Sequence, residues 1–431
     1  MQISVENTGA LERRMNIQVP AQRVSDAIDA RLQSLSRTVR MNGFRPGKVP
    51  MNVVRKQYGA AVRQEVIEGL VQTTFSEAVT EQKLNPAGGP RIDEFKADEG
   101  QDLSYRAVFE VYPEFEVKGI EGLAVNRPAV EVTEADVDAM IDNLRRQQAT
   151  YAKVERAAQD TDRVTIDFEG KIDGVAFEGG KGTNFPVIVG AGRMLPEFES
   201  GLLGMSAGET KEVTVNFPAD YAAANLAGKA AVFTITAQSV EAQQLPEADD
   251  SFAKAFGITE GGIAKLREEV ADNMRRELAD KVRSRMRQQL FDGLLSANPI
   301  EVPSVLVNNQ VRDMQVDAGR QMGARDVSQL PPAEQFQDAA RRRVVLGLVL
   351  GEVIKTSGVT VDRNRVQAKV QEMIEQYPDP VQAAKALREN QEAQRQVENM
   401  VLEDQVIDWL LERATVSEQS MTFKELMNFG G

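Results

Sequence analysis

The sequence predicts a multidomain α+β chain: an N-terminal α+β domain over residues 1–112, a linker over 113–149, a central antiparallel β-sheet wrapped on a short helix over 150–245, and an extended all-α C-terminal domain over 246–431. Three observations predict it. The 431 residues are too many for one core, at a prior of about 150 residues per domain. Short alternating runs between Gly-rich turns fill the middle of the chain, and alternation also marks both edges of the first part. Beyond Leu245 the apolar residues recur at helical spacing instead.

In the first part, Ile3 and Val5, then Met15, Ile17 and Val19, alternate as strand residues do, and Pro20 closes the segment before a helix over 21–40. Val24, Ile28, Leu32, Leu35 and Val39, three or four apart, put one apolar stripe on that helix. Gly43 interrupts it. A second helix over 51–58 is expected to stop at Gly59, and a third runs over 61–83 with Val62, Val66, Leu70 and Phe75 inward. Asn85-Pro86 and Gly88-Gly89-Pro90 break the chain ahead of a returning strand over 103–112. The linker is extended through Val125 and Val130, then helical from Thr133, with Asp136 placed three residues on to complete a capping box. It has too few apolar residues to fold alone and should dock on a neighbour.

The middle part places strands at 164–168, 185–189, 212–217 and 231–240, with a helical stretch near 194–202. In the last part Ile263, Leu266, Val270, Met274, Leu278, Val282, Met286, Leu290 and Leu294 form a stripe whose steps after the first are all four residues. Four residues turn a helix by about 400°, so the stripe drifts round the axis and one long helix meets different neighbours along its length. Pro299 and Pro303 end it, and helices follow over 304–323, 333–357, 362–377 and 381–415. Met274, Met286, Met314, Met322, Met373, Met400, Met421 and Met427 fall in this part, only slightly more than its share of the chain's methionines, so core use is the first reading. Adaptable apolar patches for unfolded chains are compatible with the same residues.

Composition removes whole classes of chemistry. With no Cys and no His there are no disulfides, thiolate nucleophiles, Zn–thiolate sites or imidazole bases. No metal or cofactor is expected, and without a GxxxxGK[ST] loop ATP is not needed. The N-terminus lacks the basic and apolar regions of a signal peptide. The most apolar run, VVLGLVL at 344–350, follows Arg341, Arg342 and Arg343 and is far short of the roughly 20 residues of a membrane span. A cytoplasmic location and no membrane partner follow as expectations.

Charge is unevenly placed. The formal net charge is −14, yet between Arg31 and Gln64 the ionisable residues include Arg31, Arg37, Arg40, Arg45, Lys48, Arg55, Lys56 and Arg63 and no Asp or Glu. A polyanion is the natural partner of such an island, with a merely solvated cationic face as the competing reading. At its centre lies MNGFRPGKVP, residues 41–50, whose glycines and prolines exclude a regular helix or strand. Phe44 therefore sits in a presented loop beside Arg45 and Lys48, a pairing suited to RNA phosphate and an apolar notch on a protein. GFRPGKVP at 43–50 resembles the signature of the trigger factors, a family of ribosome-associated bacterial chaperones, and the order of the other regions fits along the whole chain.

The resemblance implies that Gly43, Phe44, Arg45, Pro46, Gly47 and Lys48 bind the ribosome large subunit near the exit tunnel, through protein and rRNA. It also implies that nascent and unfolded polypeptides are held in a helical cradle; a homodimer of the free protein is compatible with it, and the residues leave that open. In the middle part, DFEG at 167–170, FEGG at 177–180, NFPVIVGAGRMLPEFESGLLGM from Asn184 and AAVFTI from Ala230 are similar to the FK506-binding-protein (FKBP) type of peptidyl-prolyl isomerase. That likeness implies a catalytic pocket of Phe168, Phe177, Glu178, Phe185, Met194, Leu195, Phe198, Tyr221 and Phe233, although for Phe177 and Tyr221 plain core packing is an open alternative. Phe198 stands where the family carries an indole, Glu178 where drug-binding members carry Asp, and Ala223 where they carry a tyrosine; these changes bear on drug binding and efficiency more than on the fold. A reading of another class stays open on the residues alone: a free-standing isomerase whose helical part is a dimerisation scaffold and whose basic loop touches RNA nonspecifically.

Overall fold

The structure, a computed structural model, describes residues 1–41, 44, 49–221, 223, 225–324, 326–375 and 377–427. The chain opens with strands β1 (Gln2–Asn7) and β2 (Glu12–Val19), helices α1 (Ala21–Thr38) and α2 (Met51–Glu81), and strands β3 (Arg91–Lys96) and β4 (Leu103–Glu110). The strands form an antiparallel sheet in the order β1-β2-β4-β3. Met15, Ile17 and Val19 lie opposite Ala107, Tyr105 and Leu103, so the period of two puts all six on one face. That face is buried against Val24 of α1 and Ile67 and Ala78 of α2.

Gly59 does not end a helix. α2 runs unbroken from Met51 to Glu81, where the sequence suggested two helices. A glycine inside a helix costs about 0.5–1 kcal/mol. Buried Val54 and Val62 flank it and share one apolar cluster with Leu32 and Val49. Each such burial is worth about 1.5–3 kcal/mol, so packing outweighs the local preference.

Next come β5 (Ala124–Ala129) and α3 (Glu134–Gln147). The capping box at Thr133 forms: its Oγ1 accepts from the Asp136 N–H at 3.3 Å, and Asp136 accepts from the Thr133 N–H at 2.9 Å. Val137 and Ile141 of α3 are buried with Phe252, Leu266 and Met274, which accounts for a helix too poor in apolar residues to fold alone.

The middle of the chain holds β6 (Thr150–Val154), β7 (Arg163–Ile172), β8 (Val175–Ile188), α4 (Pro196–Leu202), β9 (Thr210–Asn216) and β10 (Ala230–Gln244). The sheet runs β6-β10-β7-β8, and β9 pairs the first half of β10. Phe198 and Leu202 of α4 are buried among Val164, Ile166, Val213, Val215, Phe233 and Ile235, so the sheet is wrapped on this helix.

The rest is α5 (Asp250–Ala255), α6 (Gly262–Ala297), α7 (Ser304–Gln321), α8 (Gln337–Ser357), α9 (Arg363–Glu375), α10 (Pro380–Glu389), α11 (Gln391–Leu411), β11 (Thr415–Ser420) and α12 (Phe423–Met427). The drifting stripe on α6 changes company as its spacing requires: Leu266, Met274 and Leu278 pack with Phe252 and Phe423, whereas Leu290 and Leu294 pack with Val349, Val353, Val406 and Leu410. The single helix expected over 381–415 is two, because Asn390 accepts from the N–H groups of Glu392 and Ala393 at 3.1 Å and starts α11 afresh. β11, which pairs β5, has every residue exposed and gives no alternation to read. By internal contacts the chain forms two compact units, residues 1–127 with 284–418 and residues 128–283 with 419–431. Among the described residues no helix is long and apolar enough to cross a membrane.

Candidate functional site

Two candidate sites are carried by separate parts of the chain. The first is the connection between α1 and α2. Buried Leu32, Val49, Val54 and Val62 form an apolar cluster there, joined by Leu35, Val39, Met41 and Met51, so both ends of the connection are pinned. Phe44 is not in that cluster. The residue is 39% exposed, and its N–H donates to the Met41 carbonyl at 3.1 Å. Gly43, Arg45, Pro46, Gly47 and Lys48 lie outside the described residues.

The basic island is partly neutralised from outside its own stretch. Arg31 pairs with Glu65 at 2.8 Å, Arg55 with Asp29 at 2.5 Å, and Arg63 donates to the Ala97 carbonyl. Arg37, Arg40 and Lys56 are exposed and form no ion pair among the described residues. The acid-free run in the sequence thus overstates the free positive charge, and what is left among the described residues includes Arg37 and Arg40, which precede Phe44 in the chain.

The second site is a set of rings in contact. Phe168 of β7 lies edge-on to Phe185 of β8 at 5.8 Å and to Phe198 of α4 at 5.7 Å, and 6.1 Å from Phe233 of β10. Phe233 meets Phe198 at 5.3 Å and Phe177 at 6.0 Å, and Phe177 continues through Phe217 at 6.2 Å to Tyr221 at 4.8 Å. The edge-to-face geometry is the favourable one for ring quadrupoles. Phe198 and Phe233 are buried, Phe168 and Phe177 half-buried, and Phe185 and Tyr221 exposed, so the cluster grades from core to surface.

Three glycines of DFEG and FEGGKG, Gly170, Gly180 and Gly182, lie under rings, whereas Gly179 has open space and a positive φ of 81°. A Cβ on Gly170 would stand 2.5 Å from the Phe233 ring, one on Gly180 2.9 Å from Phe177, and one on Gly182 2.6 Å from Phe168. Phe233 and Gly170 are cross-strand partners, as are Phe168 and Gly182. Register therefore sets the Phe233 and Phe168 rings over bare backbone, while Phe177 reaches Gly180 within its own strand.

All six expected aromatics enter one connected set, and half-buried Met194 and Leu195 pack against the same core. Ala223 also packs there. Glu178 is exposed and makes no hydrogen bond or ion pair among the described residues, so the structure gives it no part in the cluster. Sequence reasoning missed two participants. Phe217, which joins Phe177 to Tyr221, closes an alternating strand run and was legible by its period. Glu199 was not legible, because a glutamate in the first turns of a helix reads as surface; here it is buried.

Around the cluster, Asp162 anchors the start of β7. Burial pushes its carboxyl up, but hydrogen bonds from Arg156 at 2.5 and 3.0 Å and from the Gln159 N–H at 2.8 Å, with the guanidinium charge, outweigh burial and hold it below the usual range. Asp167 accepts from the Asn184 N–H and the Gln238 amide, both at 2.7 Å, tying β7 to the start of the Phe185 segment. The arrangement offers an apolar aromatic surface on a braced sheet, with no nucleophile or imidazole.

Comparison with known proteins bears on both sites. Residues 1–144 match the family model described as bacterial trigger factor protein, 262–412 that described as bacterial trigger factor protein C-terminus, and 154–238 that of FKBP-type peptidyl-prolyl cis-trans isomerase. The chain is 47% identical over 425 residues to the trigger factor of Pseudomonas putida strain W619, covering 99% of this chain and 97% of that one. It is 46% identical over 431 residues to that of Alkalilimnicola ehrlichii, covering 99% and 96%. It is also 46% identical over 425 residues to that of Pseudomonas fluorescens strain SBW25, covering 99% and 98%.

Proposed function

The chain belongs to the bacterial trigger factor family, ribosome-associated chaperones that here carry an FKBP-type peptidyl-prolyl isomerase domain, and from that membership we propose how its residues divide the work. Residues 43–48, with Phe44, Arg45 and Lys48 foremost, dock the chain on the large ribosomal subunit beside the exit tunnel, in contact with protein and rRNA. Residues 1–112 form the docking domain, 113–149 the linker, 150–245 the isomerase and 246–431 the chaperone domain. The protein works in the cytoplasm, holds emerging polypeptides on apolar side chains of its helical part, and pairs with a second copy when off the ribosome. The observation that carries the docking assignment is Phe44 left exposed while its neighbours Met41 and Val49 pack inward.

Isomerisation follows from the ring cluster. Twisting an X-Pro bond meets a barrier of roughly 18–20 kcal/mol because the amide loses resonance and, with it, charge separation. An apolar surface disfavours the planar, charge-separated ground state more than the twisted state, so it lowers the barrier without a nucleophile or base. Phe168, Phe185, Phe198 and Phe233 hold the proline ring, with Met194 and Leu195 as a second wall. Phe177 and Tyr221 extend the rim, and exposed Glu178 has no assigned step.

Co-sedimentation with ribosomes at moderate salt tests the division. Replacing Phe44, Arg45 and Lys48 together by alanine should remove most ribosome binding and leave the rate on a short X-Pro peptide unchanged. Binding retained by that variant would refute the docking assignment.

A further inference from the structure

The wall of the ring cluster beside α4 is held by a buried charge. Glu199 is 6% exposed, and its carboxylate accepts N–H groups from three consecutive residues: Gly192 at 3.0 Å, and Arg193 and Met194 at 2.9 Å. No cation pairs with it among the described residues. The segment it grips has few other ties, since between 190 and 195 the only backbone N–H with a backbone acceptor among the described residues is that of Ala191, to Ile188 at 3.3 Å. Gly190 and Gly192 both have positive φ, at 78° and 67°, which gives this stretch wide conformational choice when unfastened. Met194, the last of the three, and Leu195 next to it are the pocket's second wall.

Burying an ionised carboxylate is costly unless its lone pairs are met, and a leucine here would fill the same space without that cost. What the carboxylate adds is a three-point fastening of one segment. We propose that Glu199 is a positioning residue for proline isomerisation: it fixes residues 192–194 so that Met194 and Leu195 face the proline ring. The proposal rests on reading the ring cluster as the isomerase pocket.

The test uses full-length protein, a short Leu-Pro peptide, and amide hydrogen exchange. In Glu199→Gln one oxygen still accepts but the amide NH2 opposes an N–H donor. Losing charge-assisted bonds of this kind should lower kcat/KM about tenfold, mostly through KM, because this wall holds the proline ring, which is the same in substrate and transition state, rather than the twisting amide. The amides of 192–194 should exchange about tenfold faster while those of β7 and β10 keep their rates. A merely structural role would instead lower kcat with the folded fraction and leave KM unmoved, and that outcome overturns the proposal. So does a variant that keeps its kcat/KM, or one whose 192–194 amides exchange as before. Should Glu199→Gln not fold, Glu199→Asp, which keeps the charge one methylene short, is read against the same outcomes. An inactive wild-type chain overturns the pocket reading and this proposal together, whereas an active wild type with an unaffected variant overturns this proposal alone.

Discussion

Gly182→Ala puts the packing of the pocket to a quantitative test. The new Cβ would stand 2.6 Å from Cε1 and 2.8 Å from Cζ of Phe168, inside any real contact distance. The Phe168 ring cannot simply retreat, because it is in contact with Phe185, Phe198 and Phe233. Overpacking of this kind costs about 1–3 kcal/mol. Set against it is the smaller unfolded-state entropy of alanine, worth about 0.4–1 kcal/mol where the backbone accepts a side chain, as it does here since Gly182 has no positive φ. The net expectation is a loss of about 1–2 kcal/mol. Gly89→Ala is the control: a Cβ there meets nothing within 4 Å, φ is again not positive, and a small gain is expected. Because the chain has several cores, stability should be read locally, from exchange of the β7 and β8 amides, rather than from one melting curve. Isomerase kcat/KM, read alongside, should fall more in Gly182→Ala than folded fraction explains, since the proposed function makes the displaced ring a pocket wall. Phe168→Leu supplies the second arm: in that background Gly182→Ala should cost less, by a coupling of about 0.5–3 kcal/mol. Equal costs in the two backgrounds, or an unperturbed single variant, would refute the claim that the glycine exists to seat the ring.

Two further predictions concern acid stability and helix starts. The Asp162 carboxyl is held below its usual range in the folded chain, so the stability it contributes is fully present above the unfolded value of about 3.9 and is lost as pH falls through the folded value; β7 amide exchange in Asp162→Asn should exceed wild type at pH 6, with the gap closing in the acid range. Asn390→Ala removes the cap of α11 and should destabilise that helix by about 1 kcal/mol, read as faster exchange of the Glu392 and Ala393 amides with the sheets unaffected.

The readable parts of the chain are those where one local signal and the tertiary outcome coincide. The alternation of Met15, Ile17 and Val19 survives because a sheet buries one face only. The four-residue steps on α6 survive because a drifting stripe must change neighbours, and it does. Gly59 and Asn390 mark where reading by single residues fails in opposite directions. At Gly59 a breaker is overruled by burial on both sides, while at Asn390 a residue with no special spacing splits a continuous apolar pattern by bonding two N–H groups.

The ring cluster repeats the lesson at the level of the candidate site. Its rings could be singled out by motif, but Gly170 and Gly182, which seat two of them, are explained only by strand register, and a buried Glu199 looks in sequence like any surface glutamate of a first helical turn. The cationic loop is the reverse case: its neighbourhood looks wholly unpaired in sequence, yet Asp29 and Glu65, just beyond the acid-free run, bond Arg55 and Arg31. Salt bridges this exposed are worth little to stability. Their effect is on where positive potential is left, and among the described residues that includes Arg37 and Arg40, in the chain segment leading to Phe44.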